Sequence, residues 1–149
     1  MNRRAFLASV PAILLAGCAT RLGLAERDEI AEKRVVVGYG DSSETLVRQR
    51  YDGGEPYFDG EGHELFGDVA PDDRLEVSDE LDGELRSMDP DVRYEIRGCA
   101  AGARGEGDCR EAVLVRDDFN DVDVGDIVDL RYGDPGAGVI SVHRRREKR

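Results

Sequence analysis

The apolar positions of this chain fall into three kinds of run, and each predicts a different element. The first is a stretch of thirteen uncharged residues from Ala5 to Gly17, broken only by Ser9 and Pro11. A helix of that length rises about 20 Å, short of the roughly 30 Å hydrocarbon core, so it predicts a signal segment and not a span. The second kind is short and β-like. Val35-Val36-Val37 opens the folded part with three β-branched residues, within Arg34 to Gly40. Leu46 to Tyr51 shows both alternation and helical spacing, and Gly53-Gly54 with Pro56 closes it quickly enough to favour a strand. Tyr57-Phe58 and His63 to Phe66 read as a hairpin about Asp59-Gly60-Glu61-Gly62.

Further along, Arg74 to Val77 predicts a short strand. Val92 to Cys99 and Cys109 to Phe119 predict two strands about the glycine-rich tip 100–108. Ile127 to Tyr132 and Gly138 to His143 predict a last hairpin. Pairing Leu130 with Ile140 sets Val128 against Val142, and Asp129 beside Ser141 on the other face. The third kind of run is helical. Ser78 can cap a helix whose Leu81, Leu85 and Met88 recur at i, i+4 and i+7, before Asp89-Pro90 stops it. Residues 19–34 read as a tether, in which Ala25 to Arg34 can form a short helix with Glu29 and Lys33 paired at i,i+4.

The expected organisation is a signal peptide (1–17), a lipidated cysteine and tether (18–34), a β domain (35–143) and a basic tail (144–149). The fold class is mostly β, a small antiparallel barrel or sandwich with about one short helix.

The address is the most specific motif. Asn2-Arg3-Arg4-Ala5-Phe6-Leu7 resembles the twin-arginine export signal, with Arg3, Arg4, Phe6 and Leu7 at the motif's positions. Leu15-Ala16-Gly17-Cys18 resembles the lipobox of prokaryotic lipoproteins. Together they are similar to the leaders of lipoproteins from halophilic archaea. The resemblance is confined to residues 2–18. It implies lipidation of the Cys18 thiol, removal of the preceding peptide and a lipid anchor on the extracytoplasmic face of the cell membrane. The alternative is an uncleaved N-terminal anchor with an unmodified Cys18.

Charge sharpens the picture. Without Arg3 and Arg4, 19 basic residues face 33 acidic ones, a side-chain charge of −14. Lys33 and Lys148 are the only lysines. Self-repulsion of this size opposes folding unless salt screens it, which suits a halophilic surface, or an ordinary acidic domain from a GC-rich genome. Nucleic acid is not an expected partner, because phosphate is repelled. The expected partners are the membrane, through lipid on Cys18, and a membrane or surface protein complex.

Cys18 accounts for the odd cysteine, leaving Cys99 and Cys109 to pair in an oxidising compartment. Placing them opposite each other also sets Arg97 against Glu111, Ile96 against Ala112 and Tyr94 against Leu114. Charge pairs lie on one face and apolar pairs on the other.

Chemistry is sparse. The acids between Asp117 and Asp126 suggest a weak calcium site through Asp118, Asn120, Asp121 and Asp123, although the EF-hand spacing fails and a solvated acidic turn is the alternative. Val35 to Ser43 echoes a dinucleotide fingerprint but lacks its third glycine and its βαβ unit. His63 and His143 form no zinc-protease pattern, and no Gly-x-Ser-x-Gly elbow occurs. The tail from His143 to Arg149 is a cationic patch for anionic headgroups, or a solvated terminus. The expected function is a non-catalytic accessory or binding module without a catalytic residue or cofactor. The alternative is a surface hydrolase or calcium-dependent enzyme using the Asp117–Asp126 carboxylates.

Overall fold

A computed structural model of the protein describes residues 25–100, 108–133 and 136–148. The export residues, Cys18, residues 19–24 of the tether and residues 101–107 lie outside them. Among the described residues, nine strands and α-helices follow in order. They are β1 (Glu26–Val37), β2 (Glu44–Arg50), β3 (Tyr57–Phe58), α1 (Asp79–Met88), β4 (Val92–Ala100), β5 (Cys109–Leu114), α2 (Arg116–Asp121), β6 (Ile127–Tyr132) and β7 (Ala137–Arg144). The protein is mostly β, with all seven strands antiparallel in one open sheet.

The twelve-residue β1 holds the sheet together. One edge pairs with β4 from Asp28 to Val37, with a bulge between Ile30 and Glu32. The other edge pairs first with β6, over Glu26 to Glu29, and then with β2, over Glu32 to Val37. Strand order β3-β2-β1-β4-β5 results, with β6 and β7 continuing from the first half of β1. The sheet curls until the start of β7 approaches β5. A Cβ on Gly136 would stand 2.5 Å from the Val113 carbonyl oxygen, so only glycine fits there.

Residues 25–34 are therefore not tether or helix. Most of them belong to β1, and their charges are the reason the strand is hidden in the sequence. Asp28, Glu32 and Lys33 are buried, yet each has partners on other elements. Strand alternation survives here in burial, with Asp28, Ile30 and Glu32 inside and Arg27, Glu29 and Ala31 less buried, rather than as apolar against polar.

The concave face carries Val35, Val47, Ile96, Leu114, Val128 and Leu130 into one core. Phe66, Leu75, Val77, Leu85, Phe119, Val122 and Val124 cover it from the segments between strands. Helix α1 starts where Ser78 Oγ accepts the Leu81 amide at 3.1 Å. Acids fill its first turn, Arg86 lies in its last turn, and Leu85 faces the core.

Four local expectations change. Tyr57-Phe58 pairs with Gln49 and Arg50 of β2, while Glu64–Phe66 forms a 3₁₀ turn, so no hairpin joins them. The His63 ring accepts the Leu65 amide and caps that turn, which drives Phe66 into the core. Arg74 to Val77 forms no strand. Instead of a neighbouring strand, the Asn120 amide serves Val77, accepting its N–H at 2.7 Å and donating to its carbonyl at 2.8 Å. The strand from Cys109 ends at Leu114, because Val115 faces solvent and Arg116 to Asp121 turns into α2 with Phe119 inward. In the last hairpin, Val128↔Val142 and Asp129↔Ser141 hold. A bulge then shifts Leu130 onto Val139, leaving Ile140 exposed.

The disulfide and its register are as expected. Cys99 and Cys109 are bonded, and Arg97↔Glu111, Ile96↔Ala112 and Tyr94↔Leu114 face each other across β4 and β5.

Candidate functional site

Polar groups with unusual surroundings gather in three places, all tied to β1. The innermost is Lys33, whose side chain is fully buried on the core face. Its Nζ donates to the Leu75 and Val122 carbonyls, each at 2.6 Å, and lies 4.2 Å from the Phe119 ring centroid. The amine thus ties β1 to the 74–77 segment and to the end of α2. Burial pulls its pKa down to about 7, against the opposing pull of Asp123; Arg74 adds to the lowering, and Glu76 and Asp126 oppose it.

The second place is the convex face of β1, β2, β4 and β5. Glu32 is buried there among arginines, 2.9 Å from Arg34, 2.8 Å from Arg50 and 3.4 Å from Arg48. Arg34 continues to Glu95 at 2.6 Å and Glu111 at 3.0 Å. Burial opposes the Arg34 charge, but bonds from Glu111, Glu95 and Glu32 outweigh it and raise its pKa. These residues alternate in sign across four strands, which offsets part of the molecule's excess negative charge locally.

The third place joins the α2–β6 turn to the chain's tail. Sequence reasoning grouped Asp118, Asn120, Asp121 and Asp123 here, and the structure does not bring them together around a common point. Asp118 accepts the Val139 amide, and Asn120 is spent on Val77. Asp121 pairs with Arg145, and Asp123 with Arg146 at 3.0 Å. The deepest acid, Asp126, was missed as a structural centre. It accepts the Asp123 and Arg146 amides and Arg145 Nη1 at 2.9 Å. Among the described residues, no group of three or more His, Cys, Asp or Glu is placed to hold a metal ion.

The tail is correspondingly not a free cationic patch. The Arg146 side chain is only 4% exposed, and it reaches Asp72, Asp123 and the Val124 carbonyl together. Gly125 makes room for it. Its φ is +84°, and a Cβ there would collide with Arg146 Cδ at 2.6 Å and crowd the Tyr51 ring at 3.1 Å.

Beside this strap lies an open groove of about 590 Å³, between the tail and the 53–56 and 70–72 segments. Glu29, Tyr51, Pro56, Pro71 and Arg144 contribute to its walls. Glu29 and Arg144 sit in one cross-strand row, each opposite Ile127 from its own side. Among the described residues, neither side chain has a hydrogen bond or close ion pair. Partial burial raises the Glu29 pKa, while the charge of Arg144 pulls the other way. Sequence signals for this groove were absent, because Glu29 was read as part of a solvated tether.

Comparison with protein families, curated proteins and solved structures finds nothing that matches this chain.

Proposed function

We propose that the protein is a lipid-anchored extracytoplasmic module that binds rather than transforms its target. Cys18 is the attachment point, Arg3, Arg4, Phe6 and Leu7 carry the export signal, and the β domain is displayed outside the cell membrane. The observation that carries this reading is Leu15-Ala16-Gly17-Cys18 at the end of a thirteen-residue uncharged run. The Cys99–Cys109 bond supports it, since disulfides persist in oxidising compartments. The internal partners of Asp118, Asp121, Asp123 and Asp126 favour a binding module over chemistry at that cluster.

Two lipid chains hold a protein firmly at a membrane, whereas one gives only marginal binding. Fractionation of cells expressing the full chain and its Cys18→Ser variant tests the proposal. The full chain should sediment with membranes and be released by detergent, while the variant should be soluble. Membrane retention of the variant equal to that of the parent would overturn it.

A further inference from the structure

The groove beside the tail has walls that suit one kind of ligand, and the reasoning starts from its charges. Arg145 and Arg146 line it, but both are committed to acids of the molecule itself. Arg144 is the remaining guanidinium; of the four lining carboxylates, Asp72 is paired with Arg146, and Glu29, Glu55 and Glu147 remain. An anion would meet these three acids on a chain already rich in negative charge. A metal cation would face Arg144, and no group of three or more His, Cys, Asp or Glu among the described residues is placed to hold it. A purely apolar molecule would strip water from Glu29 and Arg144 without replacing its bonds.

A neutral ligand bearing many hydroxyls avoids all three penalties. Each hydroxyl both donates and accepts, so one molecule can donate hydrogen bonds to Glu29 and accept them from Arg144. Exposed Pro71 and half-buried Tyr51 add apolar ring surface against which the C–H side of a sugar can rest. The volume of about 590 Å³ lies within the usual range for small-molecule sites. Glu29 and Arg144 are also held by three paired strands, β1, β6 and β7, so their spacing is set before a ligand arrives.

We propose that this groove is a binding site for a neutral carbohydrate of about disaccharide size, held between Glu29 and Arg144. The proposal deepens the reading of the protein as a binding module and depends on it. The two remain separable, because membrane anchoring through Cys18 is read by fractionation and not by ligand binding.

Titration calorimetry and saturation-transfer NMR test it, using the full chain in a detergent without a sugar head group. The probes are maltose, cellobiose and diacetylchitobiose, with sodium sulfate and calcium chloride as charged controls. At least one disaccharide should bind, and Glu29→Ala and Arg144→Ala should each weaken it about tenfold or more, the loss of one charge-assisted hydrogen bond. Arg144 is exposed, so its variant keeps the test valid if Glu29→Ala disturbs β1. No binding by any of the three disaccharides would overturn the proposal. So would binding that neither variant weakens, or binding of sulfate or calcium in the groove in place of a sugar.

Discussion

Lys33 Nζ stands over the Phe119 ring, 4.2 Å from its centroid, with the Leu75 and Val122 carbonyls as its hydrogen-bond acceptors. Among the described residues no carboxylate pairs with it directly; Asp123, Asp126 and Glu76 act on it from further away, and Arg74 opposes them. A lysine in this position costs the fold whenever it must carry a charge.

That cost has a defined pH window. The folded pKa is about 7, against 10.5 for the free side chain. Between those values the unfolded chain holds a proton that the folded chain does not, so this group's contribution to stability rises with pH from 7 towards 10. Lys33→Met keeps the length and removes the titration, at the expense of two carbonyl bonds. In thermal melts, the advantage of the parent over Lys33→Met should grow steadily from pH 7 to pH 10. Parallel curves across that range would show that Lys33 is not the group responsible.

Arg146 and Asp123 form the most buried ion pair of the tail, with side chains 4% and 5% exposed. Removing the cation leaves a carboxylate without a full set of partners in the interior. Arg146→Ala should therefore destabilise by about 3 kcal/mol or more. The neighbouring Arg144→Ala should stay within about 0.5 kcal/mol, as exposed substitutions usually do. Denaturant unfolding compares them directly, and equal midpoints would refute the strap.

Salt acts on two opposed terms in this molecule. It weakens exposed ion pairs, and it relieves the repulsion of a net charge of −12. Glu32, Asp123 and Asp126 are buried, so their pairs lose least to screening. Repulsion is the term that yields more. The melting temperature should climb between about 0.1 M and 1 M salt, where the screening length contracts from about 10 Å to 3 Å. A flat or falling response would mean that the exposed pairs outweigh the excess charge.

How much of this was visible in the chain depends on where each signal lies. The Cys99–Cys109 register could be read because its evidence is local. Two cysteines bracket one turn, and Arg97, Ile96 and Tyr94 find Glu111, Ala112 and Leu114 by simple counting. Helix α1 was legible for the same reason, through Ser78 and the spacing of Leu81 and Leu85. The part of β1 that precedes Arg34 was not. Its Asp28 meets Tyr132, 104 residues away, and its Lys33 meets Val122, 89 residues away. A charged residue looks solvated until its distant partner is known.

The tail repeats that lesson. Arg145 and Arg146 read as a loose basic end because their acids lie about twenty residues upstream, in a loop that itself looked like a metal site. Two features that seemed to seek outside partners, calcium and lipid headgroups, are largely each other's partners. The groove stayed hidden with them, since Glu29 and Arg144 meet only when three strands are assembled.

The central claim is that Cys18 becomes a lipidated N-terminus, and intact-mass spectrometry of membrane-extracted protein tests it most directly. The account predicts a chain that begins at Cys18, heavier than its peptide mass by a lipid modification that fragments with that residue. A chain that begins at Met1 with an unmodified Cys18 thiol would contradict it.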